Sequence, residues 1–377
     1  MQQFSHTDHD NFFLKPPAPQ NWRSPNWPEL SVSIITYNQV QLVGRAIESV
    51  LRQRVNFTFE IIIGDDCSSD GTTAVLKTYQ QRYPELITLI LHPRRRSELA
   101  PGRINSITNI YACRGKYTAH LDGDDFWTDP DKLQRQYDLL ERHPGISLCC
   151  HNSYITTSVD SITHQNDLTD LPRLLPSYRY PTGRYSQAYI GDHNAPIAQM
   201  STIMCRTRVW GDHLPEYYYH VAAADFLYYL LVSERGDVYY EAEPAGAYFF
   251  NPATISRSVF RTRPLLTRLI RDKEMYIKTF PALATGRFSR QRAHYNLLLV
   301  KCDFREGRHR QSLTELAVMV RRYPRYSLKI AAIFTLRHFR MLPFALSMKR
   351  WWLRNASRRH KTGARAGYLF PVQPPQQ

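Results

Sequence analysis

The sequence predicts an α/β protein with a mostly parallel sheet covered by helices on both faces, followed by a basic α-helical C-terminal region. Three observations support this prediction. Short β-branched apolar runs alternate with amphipathic helical segments up to about Ile155. Acidic residues follow the ends of several predicted strands. From Arg261 onward nearly every segment is compatible with a helix, and 26 Lys/Arg occur there against 5 Asp/Glu.

The elements of the predicted sheet follow one another in a regular order. β-Branched runs of four to eight residues indicate buried strands, and apolar residues at helical spacing indicate the helices between them. In chain order we predict strand SVSIITY, helix Gln39–Arg54, strand FEIIIGDD, helix GTTAVLKTYQQRY, strand LITLILH, a helix near Ile107–Cys113, strand YTAHLDGDD, helix Asp129–His143 with Pro130 at its first position, and strand ISLCCHNSYI.

The chain divides into three predicted regions. Residues 1–29 form an irregular Pro-rich leader, residues 30–260 the α/β domain, and residues 261–377 the basic helical region with a disordered end. Within the α/β domain, residues 158–186 are polar and Pro-rich and are expected to leave the sheet. Ordered patterns resume with AQMSTIMCRTRVW, AAADFLYYLLVSERG and DVYYEAEPAGAYFF.

Composition excludes several classes of protein. With 43% hydrophobic residues the chain can build a large core, and no apolar run reaches the about 18 residues of a transmembrane helix. The amino terminus lacks the basic and apolar stretches of a secretory signal. Six scattered cysteines without a CxxC pair suit reduced thiols, and we expect a cytoplasmic location.

Charge is segregated along the chain. The net charge of the whole chain is +16, and the region from Arg261 onward carries about +21. The net charge of residues 1–260 is therefore near −5. A protein that binds nucleic acid over its whole surface would be basic throughout. This distribution instead favours a catalytic body with a basic appendage.

Two acidic sites lie where ligands of open α/β sheets bind, just beyond the carboxyl ends of strands, and a third acid, Asp225, opens an aromatic helix about a hundred residues downstream. The second site, Asp122-Gly123-Asp124-Asp125, is the most informative because three adjacent carboxylates repel one another unless solvent or a cation neutralises them. Their oxygens suit Mg²⁺ or Mn²⁺. The same four residues could instead form an acidic turn that caps the next helix, and for an isolated DGDD sequence this would be the commoner explanation.

The first acidic site follows FEIIIG. Asp65-Asp66 precedes a turn in which Ser69 or Asp70 could cap the next helix. A carboxylate here could also accept a hydrogen bond from a nucleobase, and Tyr37 at the end of the first strand offers a stacking face. Ordinary packing of Tyr37 is equally compatible with the sequence.

Four segments together resemble the family 2 glycosyltransferases, which are inverting enzymes of the GT-A fold. The segments are SVSIITYN, EIIIGDDCSSDGT, GKYTAHLDGDDFWTDPDKLQRQ and ADFLYYLLVSERGDVYY, in that order and within about Leu30 to Ser258. DGDDFWTDPDKLQRQ looks like a bacterial subgroup with a DDYW-type motif before a DPxKLxxQ helix. The resemblance implies a nucleotide-diphospho-sugar donor, a divalent metal, and transfer to the hydroxyl of a saccharide or lipid-linked acceptor, in the synthesis of a bacterial surface polysaccharide or glycan.

The resemblance also implies roles for individual residues. Asp225, which opens an aromatic helix, matches the catalytic base, and Asp122, Asp124 and Asp125 match the metal site. Asp66 matches the carboxylate that reads the base edge. The complete set of expected nucleotide-sugar contacts is Thr36, Tyr37, Asn38, Asp65, Asp66, Asn105, Asp122, Gly123 and Trp127.

This sequence departs from the family pattern after the catalytic helix and its strand. Many relatives have a histidine in a YRxH-like stretch, where this chain reads YFFNPATIS with Asn251. Candidates to substitute for it are His92, His120, His151, His193 and His220, although an isolated histidine is more often structural. Arg94, Arg95, Arg96 and Arg103 of the loop HPRRRSELAPGR could reach phosphates, and a solvated loop is equally compatible with the sequence.

Other functions remain open. A catalytically silent sugar-nucleotide or glycan-binding protein would keep the same fold, and a nucleotidyltransferase would need a glycine-rich phosphate loop, which TYNQVQLVGR lacks. Basic and apolar residues interleave over Leu328–Asn355, a stretch that includes Trp351-Trp352. This pattern fits either an anchor on the anionic inner face of a plasma membrane or a helical subdomain whose apolar face packs on the rest of the protein. Nucleic-acid binding by this tail is electrostatically possible, but no reading motif supports a specific contact.

Overall fold

The computed structural model describes residues 27–93, 102–156, 173–174, 181–193, 198–209, 211, 213–222, 224–250, 262–283 and 286–323. The chain separates into two compact units, Met1–Thr254 and Ile255–Gln377. Most of the predicted leader and the whole of Leu328–Asn355 lie outside the described residues, and the boundaries drawn from the sequence stay predictions.

A ten-stranded sheet forms the first unit. The strands are β1 (Leu30–Thr36), β2 (Phe59–Asp65), β3 (Ile87–Leu91), β4 (Tyr117–Asp122), β5 (Phe126–Trp127), β6 (Ile146–Thr156), β7 (Arg173–Leu174), β8 (Gly183–Tyr185), β9 (Met204–Arg206) and β10 (Asp237–Phe249). In space the main path of the sheet runs β3-β2-β1-β4-β9-β6-β10-β5, with β7 beside β6 and β8 beside β10.

The long strands are parallel, which confirms the predicted fold class. Strand β1 lies between β2 and β4 in parallel, β3 extends this group, and β6 pairs in parallel with β10. Every antiparallel pairing involves one of the short strands β5, β7, β8 and β9. The carboxyl ends of β1, β2 and β4 therefore meet at one edge of the sheet.

The helices of the first unit are α1 (Val43–Leu51), α2 (Thr72–Arg82), α3 (Arg103–Ala112), α4 (Lys132–Arg142), α5 (Gln187–His193), α6 (Glu216–His220) and α7 (Ala224–Ser233). Two of them begin later than predicted. The amides of Leu42 and Val43 both donate to the Gln39 carbonyl, so a turn precedes α1. Pro130 lies in the turn before α4, where Asp129 Oδ1 accepts from the Asp131 amide at 2.8 Å, and not at the first helical position.

The main core forms where α1 and α4 pack on the sheet. Apolar side chains such as Val32, Ile34, Ile47 and Leu133 are fully buried there. Burial of each such side chain contributes about 1.5–3 kcal/mol relative to exposure. This packing fixes the strands whose ends carry the acidic residues.

Two asparagines of α3 tie the carboxyl ends of β1 and β2 together. Asn105 Nδ2 donates to the Gly64 carbonyl at 2.8 Å and to that of Thr36 at 3.4 Å, and Asn109 Nδ2 donates to the Ile34 carbonyl at 2.8 Å. A Cβ at Gly64 would lie 1.9 Å from Asn105 Oδ1. Gly64 is therefore required for α3 to approach the sheet this closely.

The second unit is helical, as predicted for the basic region. It contains α8 (Arg263–Thr279), α9 (Gly286–Arg305) and α10 (His309–Arg322). Asp303 is fully buried and pairs with Arg263 and Arg308. Within the described parts of the chain, no helix combines the length and the apolar character needed to cross a lipid bilayer.

Candidate functional site

An acidic turn lies at the carboxyl end of β4. Asp122 is the last residue of this strand, and Asp124 and Asp125 follow within the turn to β5. One carboxylate oxygen from each of these three residues lies within 4.8 Å of the others. Asp122 and Asp124 are partly exposed and Asp125 is buried. Three converging oxygen ligands at an open strand end could hold a hard divalent cation.

Gly123 lets this turn pack against the end of β1. Its amide donates to the Ile35 carbonyl at 2.8 Å. A Cβ at this position would lie 2.5 Å from Gln39 Oε1 and 2.8 Å from Thr36 Cβ. A larger residue would push Asp122 and Asp124 away from β1, so Gly123 shapes the site through its small size.

The electrostatics of the turn favour cation binding. Burial, with repulsion from Asp124 and Asp225, raises the pKa of Asp122 to about 8. Burial also raises the pKa of Asp124, and burial together with the charges of Asp124 and Asp122 raises that of Asp125. A divalent cation would relieve this repulsion and displace the protons.

Three polar residues around the turn were not among the sequence predictions. Gln39 accepts from Thr36 Oγ1 at 2.7 Å and hydrogen-bonds the Asp124 side chain. The Ser201 hydroxyl accepts from the Asp122 amide at 3.1 Å and donates to Asp125. Neither residue stands in a recognisable motif, so only its position relative to the sheet could have identified it.

The third missed residue is Arg45 of α1. Its guanidinium carbon lies 3.7 Å from the centroid of the Phe126 ring, and Nη2 donates to the Asp124 carbonyl at 3.4 Å. Burial lowers the pKa of Arg45 to about 9, although Asp125 and Asp124 act in the opposite direction. The acidic turn therefore has a fixed cation beside it. The helical spacing of α1 gave no signal for this contact.

Asp225 lies in the first turn of α7, about a hundred residues after the acidic turn in sequence. The structure brings it close enough to Asp122 for the two charges to repel. Its side chain is exposed to solvent, yet surrounding protein atoms still desolvate it and raise its pKa, while Arg103 opposes this rise. A carboxylate with a raised pKa beside an acidic cluster is the arrangement expected of a general base.

Arg103 does not lie in a solvated loop, as one reading of the sequence expected. It is the first residue of α3, is buried, and donates through Nη2 to the Val221 carbonyl at 2.9 Å. Its guanidinium also faces the Tyr218 ring. Arg103 therefore anchors the chain just before α7. The three neighbouring arginines Arg94, Arg95 and Arg96 lie outside the described residues.

The predicted nucleotide contacts lie at the ends of β1 and β2. Tyr37 is partly exposed and Asn38 is exposed, with Asn38 in the left-handed region at φ 51°. Asn38 Oδ1 accepts from the Ser69 amide at 2.8 Å. Thr36 is buried, and its carbonyl accepts from the Asp66 amide at 3.0 Å. These residues form one continuous rim next to the acidic turn.

Other predicted contacts have structural partners. Asp65 is buried and accepts from Ser68 and Thr73, so its carboxylate holds the loop before α2. Asn105 is buried between β1 and β2. Trp127 is 4% exposed, and its Nε1 donates to the Ser201 carbonyl at 2.7 Å. These contacts favour scaffold roles for the three residues, and their contact with a nucleotide sugar stays a prediction.

The histidines considered as substitutes are dispersed. His120 is buried with Nε2 2.9 Å from the Tyr228 hydroxyl, and His151 is buried with Nδ1 2.7 Å from the Asn152 carbonyl. Burial lowers the pKa of both to about 3. His92 is buried, His220 is exposed, and the His193 side chain and Asn251 lie outside the described residues. Among the described histidines, none joins the metal-ligand cluster.

The aromatic residues next to Asp225 and the acidic turn belong mainly to the core. Phe226, Tyr228 and Tyr229 are buried on α7, and Tyr229 donates its hydroxyl proton to the Ala198 carbonyl at 3.0 Å. Phe126 is partly exposed beneath Arg45. The aromatic character of α7 therefore fixes Asp225 by packing.

The sheet and its acidic edge define a protein of the GT-A fold class. The structure superposes on S. aureus TarS residues 1–349 in complex with UDP-GlcNAc with a TM-score of 0.51, at 13% sequence identity, over 78% of this chain and 81% of that chain. At this identity the likeness concerns the fold alone.

Within that class, residues 31–210 match the family model described as Glycosyl transferase family 2. The matched segment covers a little under half of the chain and includes the strands β1 to β4 and the acidic turn. The chain is 38% identical over 122 residues to the uncharacterized protein Rv1520 of Mycobacterium tuberculosis, over 32% of this chain and 34% of that protein. It is also 36% identical over 115 residues to the succinoglycan biosynthesis protein ExoO of Rhizobium meliloti, over 30% of each. The chain thus matches about a third of the length of these relatives.

Proposed function

We propose that this protein is a metal-dependent inverting glycosyltransferase that moves a sugar from a nucleotide-diphospho-sugar to an acceptor hydroxyl. The observation that carries the proposal is the approach of Asp225 to the Asp122-Gly123-Asp124-Asp125 turn at the carboxyl edge of the sheet. The carboxylates of the turn can hold a cation, and Asp225 can accept a proton. The family match supports this chemistry.

The donor side of the reaction requires binding and charge neutralisation. Asp122 and Asp124 would hold Mn²⁺ or Mg²⁺, which would stabilise the negative charge on the departing diphosphate. Tyr37, which is partly exposed, and Asp66, which is 5% exposed, follow β1 and β2 at the adjacent edge of the sheet. The tyrosine ring suits a base face and the carboxylate suits a base N–H. Arg45 supplies a second positive charge next to the turn.

Asp225 would act on the acceptor. Its carboxylate accepts the proton of the attacking hydroxyl while the new bond forms on the face of the sugar opposite the diphosphate. Desolvation by the surrounding protein raises the pKa of Asp225 and Arg103 opposes that rise, which makes the carboxylate a stronger base than an ordinary aspartate. Inversion follows from the opposite positions of nucleophile and leaving group.

A bacterial surface polysaccharide or related glycan is the proposed product. The name of ExoO associates that relative with succinoglycan biosynthesis. A saccharide or lipid-linked acceptor fits such a pathway, and assembly at the inner face of the plasma membrane would suit a cytoplasmic, peripherally bound enzyme. The interleaved basic and apolar residues of Leu328–Asn355 support attachment to anionic lipid.

Donor binding and transfer can be tested separately. Purified protein is screened by thermal shift with UDP-, GDP-, TDP- and CMP-sugars, with and without Mn²⁺. We expect one nucleotide class to raise the Tm only with metal, and Asp124→Asn to abolish the shift. Glu85→Gln is the matched control, because Glu85 is an exposed carboxylate outside the site.

The same donor then serves in a transfer assay. Asp225→Asn should keep the metal-dependent thermal shift and lower kcat by about 100-fold or more. Loss of both donor binding and transfer in this variant would contradict the assigned base. Wild-type protein that binds a donor but transfers no sugar to any tested acceptor or to water would favour the silent binding protein.

A further inference from the structure

Asp125 differs from its two acidic neighbours in how its carboxylate is used. The residue is 1% exposed. Its Oδ2 accepts the hydroxyl proton of Ser201, and its Oδ1 accepts from the Phe249 amide at 2.9 Å. Both oxygens thus already have protein donors.

The two partners come from distant parts of the chain. Ser201 lies in the short 3₁₀ helix Met200–Thr202 just before β9, and Phe249 is the last residue of β10. They are 76 and 124 positions from Asp125 in sequence. One buried side chain therefore joins the acidic turn to two later segments of the first unit.

Ser201 extends this connection to Asp122. Its hydroxyl accepts from the Asp122 amide at 3.1 Å while donating to Asp125. The order is Asp122 amide, Ser201 hydroxyl, Asp125 carboxylate, Phe249 amide. This chain of hydrogen bonds fixes the backbone of the turn, in which the side chains of Asp122 and Asp124 stay partly exposed.

We propose that Asp125 is a positioning residue that fastens the end of β10 and the Met200–Thr202 helix to the acidic turn, with Asp122 and Asp124 as the carboxylates that hold the metal. This inference rests on the proposed function for its metal, and it revises the three-aspartate set expected from the sequence. Because β10 ends at Phe249, Asp125 also determines where the chain leaves the sheet relative to the metal carboxylates.

The proposal separates Asp125→Asn from Asp124→Asn. An asparagine at 125 keeps an acceptor for the Phe249 amide and offers an N–H to the Ser201 hydroxyl, so the connection persists without the charge. Mn²⁺ binding to the full chain is measured from the free-ion EPR signal. We expect Asp125→Asn to keep the Mn²⁺ Kd within about threefold and Asp124→Asn to weaken it about tenfold or more.

Asp125→Ala removes both hydrogen bonds. Hydrogen exchange of the Phe249 amide should accelerate at least about tenfold, the donor KM should rise more than kcat falls, and Asp125→Asn should restore both. Ser201→Ala should share part of this effect, and combining it with Asp125→Ala should add less than the sum of the single changes.

Specific outcomes overturn the proposal. Asp125→Asn that loses Mn²⁺ as fully as Asp124→Asn would make Asp125 a ligand. If the hydrogen-exchange rate of the Phe249 amide is unchanged in Asp125→Ala, Asp125 is not a positioning residue. If wild-type protein neither binds Mn²⁺ nor transfers sugar, the proposed function fails, while the exchange measurement at Phe249 still decides whether Asp125 fastens β10.

Discussion

Lys132 and Trp127 form a buried cation–π pair beneath the acidic turn. Lys132 Nζ lies 3.7 Å from the centroid of the indole ring, and the lysine is 0% exposed. Burial lowers the pKa of Lys132 to about 7. The ring thus supports the cation electrostatically, while Trp127 Nε1 binds the Ser201 carbonyl.

Replacing Lys132 by methionine should stabilise the protein. Methionine fills similar space without a buried charge, so we expect the free energy of unfolding at pH 7 to rise by about 1–4 kcal/mol. Urea unfolding measures the change. A loss of stability would show that the contact between the ammonium group and the ring outweighs its desolvation.

The pH dependence provides a second test of the Lys132 environment. An unfolded lysine has a pKa of about 10.4, so between pH 7 and about 10 the unfolded chain binds more protons at this site than the folded protein. The stability contributed by this site should therefore increase with pH across that range. In Lys132→Met this component should disappear, and identical pH profiles in both proteins would contradict the assigned pKa.

Gly123→Ala should disturb the metal site. The new Cβ would lie 2.5 Å from Gln39 Oε1 and 2.8 Å from Thr36 Cβ, so the turn must shift at a cost of about 1–3 kcal/mol. We expect Mn²⁺-dependent donor binding to weaken about tenfold or more in calorimetry. Gly44→Ala in α1 is the control, since its nearest neighbour would be 3.5 Å away, and normal binding by both variants would refute the steric argument.

Asp303→Asn should destabilise the second unit. Asp303 is 0% exposed and pairs with Arg263 and Arg308, whose side chains are partly exposed, so neutralising it weakens two charge-assisted hydrogen bonds at a cost of about 1–3 kcal/mol. Thermal unfolding of the full chain measures the loss. Glu306→Gln changes an exposed acid of the same arginine and should have little effect. Equal effects of the two substitutions would show that burial of Asp303 is unimportant.

The buried histidines should make the protein sensitive to acid. His120 and His151 have pKa values lowered to about 3 by burial, against about 6.5 in an unfolded chain. Their stabilising contribution is complete above about pH 6.5 and declines by about 1.4 kcal/mol per pH unit for each below it. His120→Asn should reduce this slope in urea unfolding between pH 7 and 5, whereas exposed His220→Asn should not. An unchanged slope would place the acid sensitivity elsewhere.

The strands and most helices were predictable because their apolar residues follow regular periods. The short, mainly apolar runs before Asp65 and Asp122 define β2 and β4, and in the structure these strands flank β1 with their carboxyl ends together. Helix starts were less predictable. Hydrogen bonds to the Gln39 carbonyl delay α1, and no periodic pattern encodes such a turn.

The polar contacts of the site were the least predictable part. Arg45 occupies an ordinary helix position, and Ser201 follows a long polar stretch. Neither the residue type nor the spacing therefore identifies these two residues as part of the site. Trp127 and Asn105 stand in motifs but lie inside the fold. Tertiary contacts that join residues far apart in sequence decide these cases, and sequence periodicity does not carry that information.

Strand β9 runs against its two neighbours, β4 and β6. As a result, the polypeptide that enters this strand arrives at the carboxyl edge, and Ser201 is delivered there by the direction of one three-residue strand. The acidic turn after β4 therefore depends on the orientation of a strand some eighty residues later in the sequence, and a parallel β9 would carry Ser201 to the opposite edge of the sheet.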